Sequence, residues 1–322
     1  MNKEFTSGLA PWIEAFLEQK HSLGYKYEEN GRYLSKFDAM CAERFPMETT
    51  ITASMGMAWA ESTQDENRGG LTRRLSPVRE LARFIIQNGQ HAFVIPTECG
   101  KNPYRKYVPY IFSEDELRRV FRAADSLAPY DRNPEYAMEA PVILRLLYAC
   151  GLRPYEARLM LRRNIDLDRG TIFIPESKKM KDRVVVMDQA MLGICRLYNA
   201  GIQRLGLSEE YFFPCRGRHP FHNRHWLDGL LSRCLINAGM EDFPSNRPRP
   251  YDLRHTFATH TLYRWMREGK DLGNCLPYLS AYMGHEKFLH TSYYIHLVPE
   301  FFSQVPAALA QKYENLVPEV MQ

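Results

Sequence analysis

Apolar positions fall into helical stripes along most of this chain and alternate in only one place, near its middle. Pro11, suited to a first helical turn, is followed by Trp12, Phe16 and Leu17 at helical spacing. Leu34, Phe37 and Cys41 mark a second amphipathic helix, and "ITASMGMAWAES" reads as a third. In "GLTRRLSPVRELARFIIQNG", Leu71, Leu75, Val78, Ala82 and Ile85 share one stripe while Arg74 and Arg79 stand off it. Residues 1–90 are therefore predicted to form a small helical bundle with a basic outer edge. Residues 91–110 carry three prolines and no periodicity, and are predicted to be an extended basic linker.

A second domain, residues 111–322, opens at "SEDEL", where Ser113 and Glu116 have the spacing of a helix capping box. The apolar helix "APVILRLLYACG" closes on Gly151. The period then changes to two. "GTIFIPESKKMKDRVVVMD" holds two β-rich runs, Thr171 to Ile174 and Val184 to Met187, around a lysine-rich turn, and is predicted to be a hairpin. Helical patterning returns after Asp188, where Asp252 is placed as a helix cap. The fold class is mainly α with a small β-hairpin or sheet (α+β), in two domains.

Composition narrows the class of protein further. Hydrophobic residues make up 45% and charged residues 25% of 322, ordinary for a globular chain, and no apolar run approaches a membrane span. The start lacks a signal-peptide pattern. Seven scattered cysteines without a Cys-x-x-Cys pair suit reduced thiols, so a cytoplasmic location is expected. A net charge of +4 decides little, but its distribution is informative. "CGKNPYRKYVPY" carries Lys101, Arg105 and Lys106 without an acid, and "CRGRHPFHNRHW" and "SNRPRPYDLRH" add more arginines. Acid-poor basic runs point to phosphate contacts. His219, His222 and His225 hint at a metal, but Pro220 and the lack of a nearby cysteine or acid favour a surface loop.

Four separated boxes carry the chemistry: "GLRPYEARLM", "SKKMKDR", "RPYDLRHTFATH" and "YMGHEKFLHTSYYIH". In this order and spacing they resemble the tyrosine recombinases of the phage-integrase type. The resemblance runs from about Ser113 to His296, and the helical first domain is similar, less specifically, to the family's DNA-clamping domain. By position it implies that Arg153 and Arg254 grip the scissile phosphate. Lys178, five residues before Arg183, takes the place of the hairpin lysine, ahead of Lys179 and Lys181. His285 follows Gly284 as the second histidine, and nine residues on Tyr294 is the nucleophile, with Tyr293 its packed neighbour. Glu156, His255 and His296 support. The pattern departs at Tyr251, where the family has a histidine three residues before the second arginine. A neutral phenol can donate one hydrogen bond to a phosphate oxygen but carries no positive charge.

The chemistry implied is displacement at a phosphodiester through a covalent 3′-phosphotyrosyl link, with no metal and no cofactor. Two planar guanidinium forks would hold the charge that develops on the phosphate oxygens. The expected partners are double-stranded DNA, held also by Arg74, Arg79, Lys101, Arg105, Lys106, Lys179 and Lys181, and further copies of the chain, four in the working complex through the C-terminal helix. Strand relaxation of the type IB topoisomerase kind and a DNA-binding protein with decayed catalysis are the alternatives.

Overall fold

The computed structural model describes residues 5–61, 68–100, 107–129, 135–177, 181–207, 210–216, 219–243, 247–285 and 289–301. They fall into two compact units, Met1–Tyr107 and Val108–Gln322. Among the described residues no helix is long and apolar enough to cross a membrane.

Among the described residues the first unit contains four helices: α1 (Ala10–Ser22), α2 (Glu28–Arg44), α3 (Ala53–Ala60) and α4 (Arg68–Gln87). The striped residues make its core: Phe16, Leu34, Phe37, Cys41, Leu75, Val78, Ala82 and Ile85 are all buried, with Ile13, Met55 and Trp59 between them. Burial of apolar area at about 25 cal/mol per Å² is what holds such a small bundle together. The first ten residues of the expected linker carry no helix or strand and lie against the bundle: Ile95 is buried in its core and the Phe93 amide donates to the Ile51 carbonyl at 2.7 Å. Arg79 explains why. Its guanidinium leaves the outer edge and donates from Nε to the Ile95 carbonyl (2.9 Å) and from Nη2 to those of Pro96 (2.5 Å) and Cys99 (2.6 Å). An irregular segment has no ladder to satisfy its carbonyls, so the arginine does it.

The second unit is helical apart from one sheet, with α5 (Glu114–Asp125), α6 (Glu135–Ala149), α7 (Pro154–Arg158), β1 (Ile165–Asp166), β2 (Thr171–Ser177), β3 (Lys181–Val186), α8 (Gln189–Gln203), α9 (Arg224–Asn237), α10 (Pro250–Arg267), α11 (Leu272–Met283) and α12 (Leu289–Phe301). The capping box at Ser113 and Glu116 forms as expected and starts α5. α10 runs against both α6 and α12. The sheet is antiparallel in the order β1-β2-β3, so the hairpin gains a short third strand that sequence periodicity did not signal. Register pairs Ile172 with Val185, Phe173 with Val184 and Ile174 with Arg183. Directly opposed residues share a face. Phe173 and Val184 are therefore out in solvent, while Ile172, Ile174 and Val185 are buried and Arg183 shares their inward face.

Two glycines shape the backbone where α6 and α11 end. Gly151 has φ +58°, and a Cβ there would meet the Phe257 ring at 2.5 Å. Gly284 closes α11 in the left-handed conformation at φ +63°. Only glycine adopts such angles without strain, and the Gly151 and Met283 carbonyls at these turns face Arg254 of α10. Asp252 is a smaller correction. The helix cap is Arg249, and Asp252 stands three residues in, accepting the Arg249 amide at 2.8 Å.

Candidate active site

Three of the four boxes meet around the first turns of α10, and of the hairpin box Arg183 joins them through Glu156. Arg254 is wholly buried there, donating from Nη1 to the Gly151 carbonyl and from Nη2 to the Met283 carbonyl, both at 2.5 Å. Arg153, at the start of α7, donates from Nη2 to the carbonyl of the next residue along, Gly284, also at 2.5 Å. Two guanidiniums distant in the chain are thus fixed against one turn. His285, the residue after that turn, sets Nε2 3.3 Å from Arg254 Nη2 and Nδ1 2.7 Å from the Thr291 hydroxyl. Tyr294 lies on α12, 2% exposed, its hydroxyl 2.9 Å from His255 Nδ1 and its ring stacked 6.1 Å from that of His285. Tyr251, in the first turn of α10, sets its ring 5.1 Å from that of His255. Arg153, Arg254, Tyr251, His255, His285 and Tyr294 are brought together.

Comparison with known proteins shows the family. The model of the phage integrase family matches residues 111–300, more than half of the chain. The chain belongs to the phage integrase family. Among its relatives, "Putative integrase/recombinase y4rB" of Sinorhizobium fredii is 28% identical over 94% of this chain and 97% of that protein. Tyrosine recombinase XerD of Rickettsia prowazekii is 26% identical over 88% of this chain and 89% of its own length. The fold matches the solved Tn1549 transposon integrase in complex with transposon right end DNA at a TM-score of 0.60 and 12% identity, over 95% of this chain and 99% of that one. In enzyme class the chain is a tyrosine recombinase, and its mainly helical fold with one small antiparallel sheet is that of these structures.

The electrostatics of this integrase-family site are lopsided. Glu156 is the carboxylate that meets Arg153 and Arg183. It bonds Arg153 Nη1 at 2.7 Å and receives both Nη groups of Arg183, at 2.7 and 2.6 Å. Burial alone would raise its pKa, but the Arg183 fork and the Arg153 amide and charge hold it down to about 2. Among the described residues Arg254 bonds only to carbonyls and an imidazole. Burial lowers its pKa to about 10, and the neighbouring Arg153 pushes the same way. It stays charged at neutral pH. Burial first, then Arg254, lowers both His255 and His285 to about 3, so both rings are neutral. Burial raises the Tyr294 phenol above its ordinary value against the pull of Arg254. Three guanidiniums facing one carboxylate leave an excess of positive charge in a covered site, the charge an incoming phosphate would balance.

The remaining expectations divide. Lys101, Arg105, Lys106, Lys178 and Lys179 lie outside the described residues, as do the side chains of Lys181 and His296 and the C-terminal segment after 301. Arg74 stacks on the Trp59 ring at 4.6 Å and donates to the Trp59 carbonyl and, at 2.9 Å, to that of Glu61. Arg79 is buried and bonded to carbonyls, which corrects its expected place on an outer DNA-facing edge. The surface loop expected for the three histidines holds for His219 only, and His225 is exposed in the first turn of α9. His222 is buried, stacked 3.6 Å from Trp226 and 2.7 Å from Glu139. Sequence reading missed Arg183 as a site residue, although the hairpin alternation that buries Val185 puts Arg183 on the same face. It also missed Thr291, which no spacing singled out.

Proposed function

We propose that this chain is a site-specific DNA recombinase that cuts one strand at a time by attack of Tyr294 on a phosphodiester. One observation carries the reading: Arg153 and Arg254 are fixed on the adjacent carbonyls of Gly284 and Met283, within the same cluster as the Tyr294 hydroxyl. Guanidiniums fixed in advance suit the charge that builds on two non-bridging oxygens in the transition state, because little reorganisation is left to do there. Glu156 and Arg183 keep Arg153 from turning outward. Tyr251 supplies a further donor at the phosphate. The Tyr294 oxygen forms a bond to phosphorus, the bond to the 5′-oxygen breaks, and that oxygen takes a proton from Lys178, which the family spacing assigns as general acid. The 3′-phosphotyrosyl link keeps the phosphodiester energy, so the 5′-hydroxyl of a second strand reverses the step without ATP.

Arg254 and Tyr294 are covered, so duplex DNA must open the site as it binds. The partner is double-stranded DNA, bound mainly through phosphates with an affinity that falls as salt rises. Four protomers on two duplexes make the exchange, and integration or excision of a mobile element or phage is the role. Neither a divalent metal nor ATP takes part, because guanidiniums supply the positive charge.

A duplex nicked beside the scissile phosphate tests the reading, since loss of the short product traps the adduct. The native chain is expected to form a covalent complex in chelator. Tyr294→Phe is expected to shift the same DNA in a gel and never to trap it. An adduct that persists in Tyr294→Phe and vanishes in Tyr293→Phe would move the nucleophile by one residue.

A further inference from the structure

The displacement leaves one proton without a destination, that on the Tyr294 hydroxyl. The box residue three positions before Arg254 is Tyr251, and a neutral phenol takes up no proton near neutrality. His285 is engaged on both nitrogens, with Arg254 and with Thr291. His255 is different. Its Nδ1 lies 2.9 Å from the Tyr294 oxygen, the reach required of a general base. Tyr251 and His255 stand at i and i+4 on α10 and so share a face, which the ring separation of 5.1 Å reflects. We propose that His255 is the proton acceptor for Tyr294, filling from one turn further along α10 the place that Tyr251 leaves empty. The inference rests on Tyr294 being the nucleophile.

In this step the proton of neutral His255 sits on Nε2, and Nδ1 accepts from the Tyr294 O–H. As the tyrosyl oxygen bonds to phosphorus, its proton passes to Nδ1 and His255 becomes an imidazolium. Rejoining returns that proton to the departing tyrosyl oxygen. Protons therefore balance at each strand exchange, with the leaving 5′-oxygen served separately by Lys178. The groups that face His255 are Tyr251, Tyr294, Arg254 and Arg249. The two arginines disfavour an imidazolium as long as the site holds no anion. A phosphodiester between Arg153 and Arg254 cancels part of that field and raises the proton affinity of His255. The nucleophile is thus activated when DNA is in place, and the covered Tyr294 is otherwise left as an inert phenol.

Rapid-quench cleavage of the nicked duplex, with an ordinary or a 5′-bridging phosphorothiolate scissile group, separates the protons. His255→Gln and His255→Asn are each expected to slow adduct formation about 10²–10⁴-fold, the usual range for lost general-base help. The asparagine amide keeps a hydrogen-bond acceptor beside Tyr294 without accepting a proton, so it should not rescue. The sulfur leaving group departs unprotonated and should rescue Lys178→Ala but neither His255 variant. Adduct formation in His255→Asn within a few-fold of native, or rescue of it by sulfur, overturns the proposal. Adduct formation by Tyr294→Phe would instead sink the nucleophile assignment. A third arm leaves position 255 unchanged: a fluorinated tyrosine of lowered pKa at 294. Its rate is expected to reach a plateau at the same pH as the native chain, and a plateau that follows the phenol overturns the proposal.

Discussion

Among the described residues two arginines, one in each compact unit, are buried without a carboxylate in hydrogen-bond contact, and they are buried for different ends. Arg79 spends Nε and Nη2 on three carbonyls of residues 95–99, all within a short stretch of its own sequence. Arg254 bridges carbonyls from two distant turns, those of Gly151 and Met283, and lies beside a second guanidinium, an imidazole and a phenol. The first arginine completes the hydrogen bonding of an irregular segment. The second sits where positive charge exceeds negative, in a cluster of groups suited to phosphoryl transfer. Burial of a cation is thus no signal of function by itself. What surrounds it decides.

Breaking each arginine in turn gives the largest expected effects. Arg254→Lys keeps the charge but loses the fork, and cleavage should fall by about 10²–10³-fold, the scale of one lost transition-state donor. Rapid-quench cleavage of the nicked duplex measures it. Arg79→Ala should leave the cleavage rate and the salt dependence of DNA binding as they are. It should lower stability by about 1–3 kcal/mol, the cost of stranding buried carbonyls, read by denaturant melts.

Glu156 sharpens the comparison, because it is the carboxylate that Arg254 lacks. Its folded pKa of about 2 lies below the unfolded value, so its stabilisation is present above the unfolded value. That stabilisation is lost as pH falls through the interval between the two. Its size is on the order of 3 kcal/mol at neutral pH. Glu156→Gln should lose most of it at pH 7 and flatten the stability curve between about pH 4 and pH 2. A smaller effect is expected at Gly151, where a side chain meets the Phe257 ring and a positive φ. Gly151→Ala should cost about 1–3 kcal/mol and also disturb the carbonyl that holds Arg254. Tyr251→Phe should slow cleavage by about 10²-fold if its hydroxyl meets the phosphate, with Tyr251→His restoring the rate.

Much of the fold was legible because its helices are amphipathic. The stripes on α1, α2 and α4 and the alternation in β2 and β3 report burial directly, and the Ser113 capping box reports where α5 starts. The site residues were legible for another reason, the spacing of four boxes, which says nothing of contacts. Arg79 was misplaced because a helical wheel assigns any off-stripe arginine to solvent and has no term for a neighbouring segment with unsatisfied carbonyls. The link from His255 to Tyr294 was illegible for a related reason. It depends on how α12 packs on α10, and neither helix carries that information in its own periodicity.

The central claim is that Tyr294 attacks a phosphodiester held by Arg153 and Arg254, and peptide mapping tests it most directly. Native protein trapped on the nicked duplex would be digested with protease and nuclease, and the nucleotide-bearing peptide fragmented. The account predicts a single 3′-phosphonucleotide on the Tyr294 oxygen. A nucleotide on Tyr293 or on any other residue, or efficient trapping in the double substitution Arg153→Ala and Arg254→Ala, would contradict it.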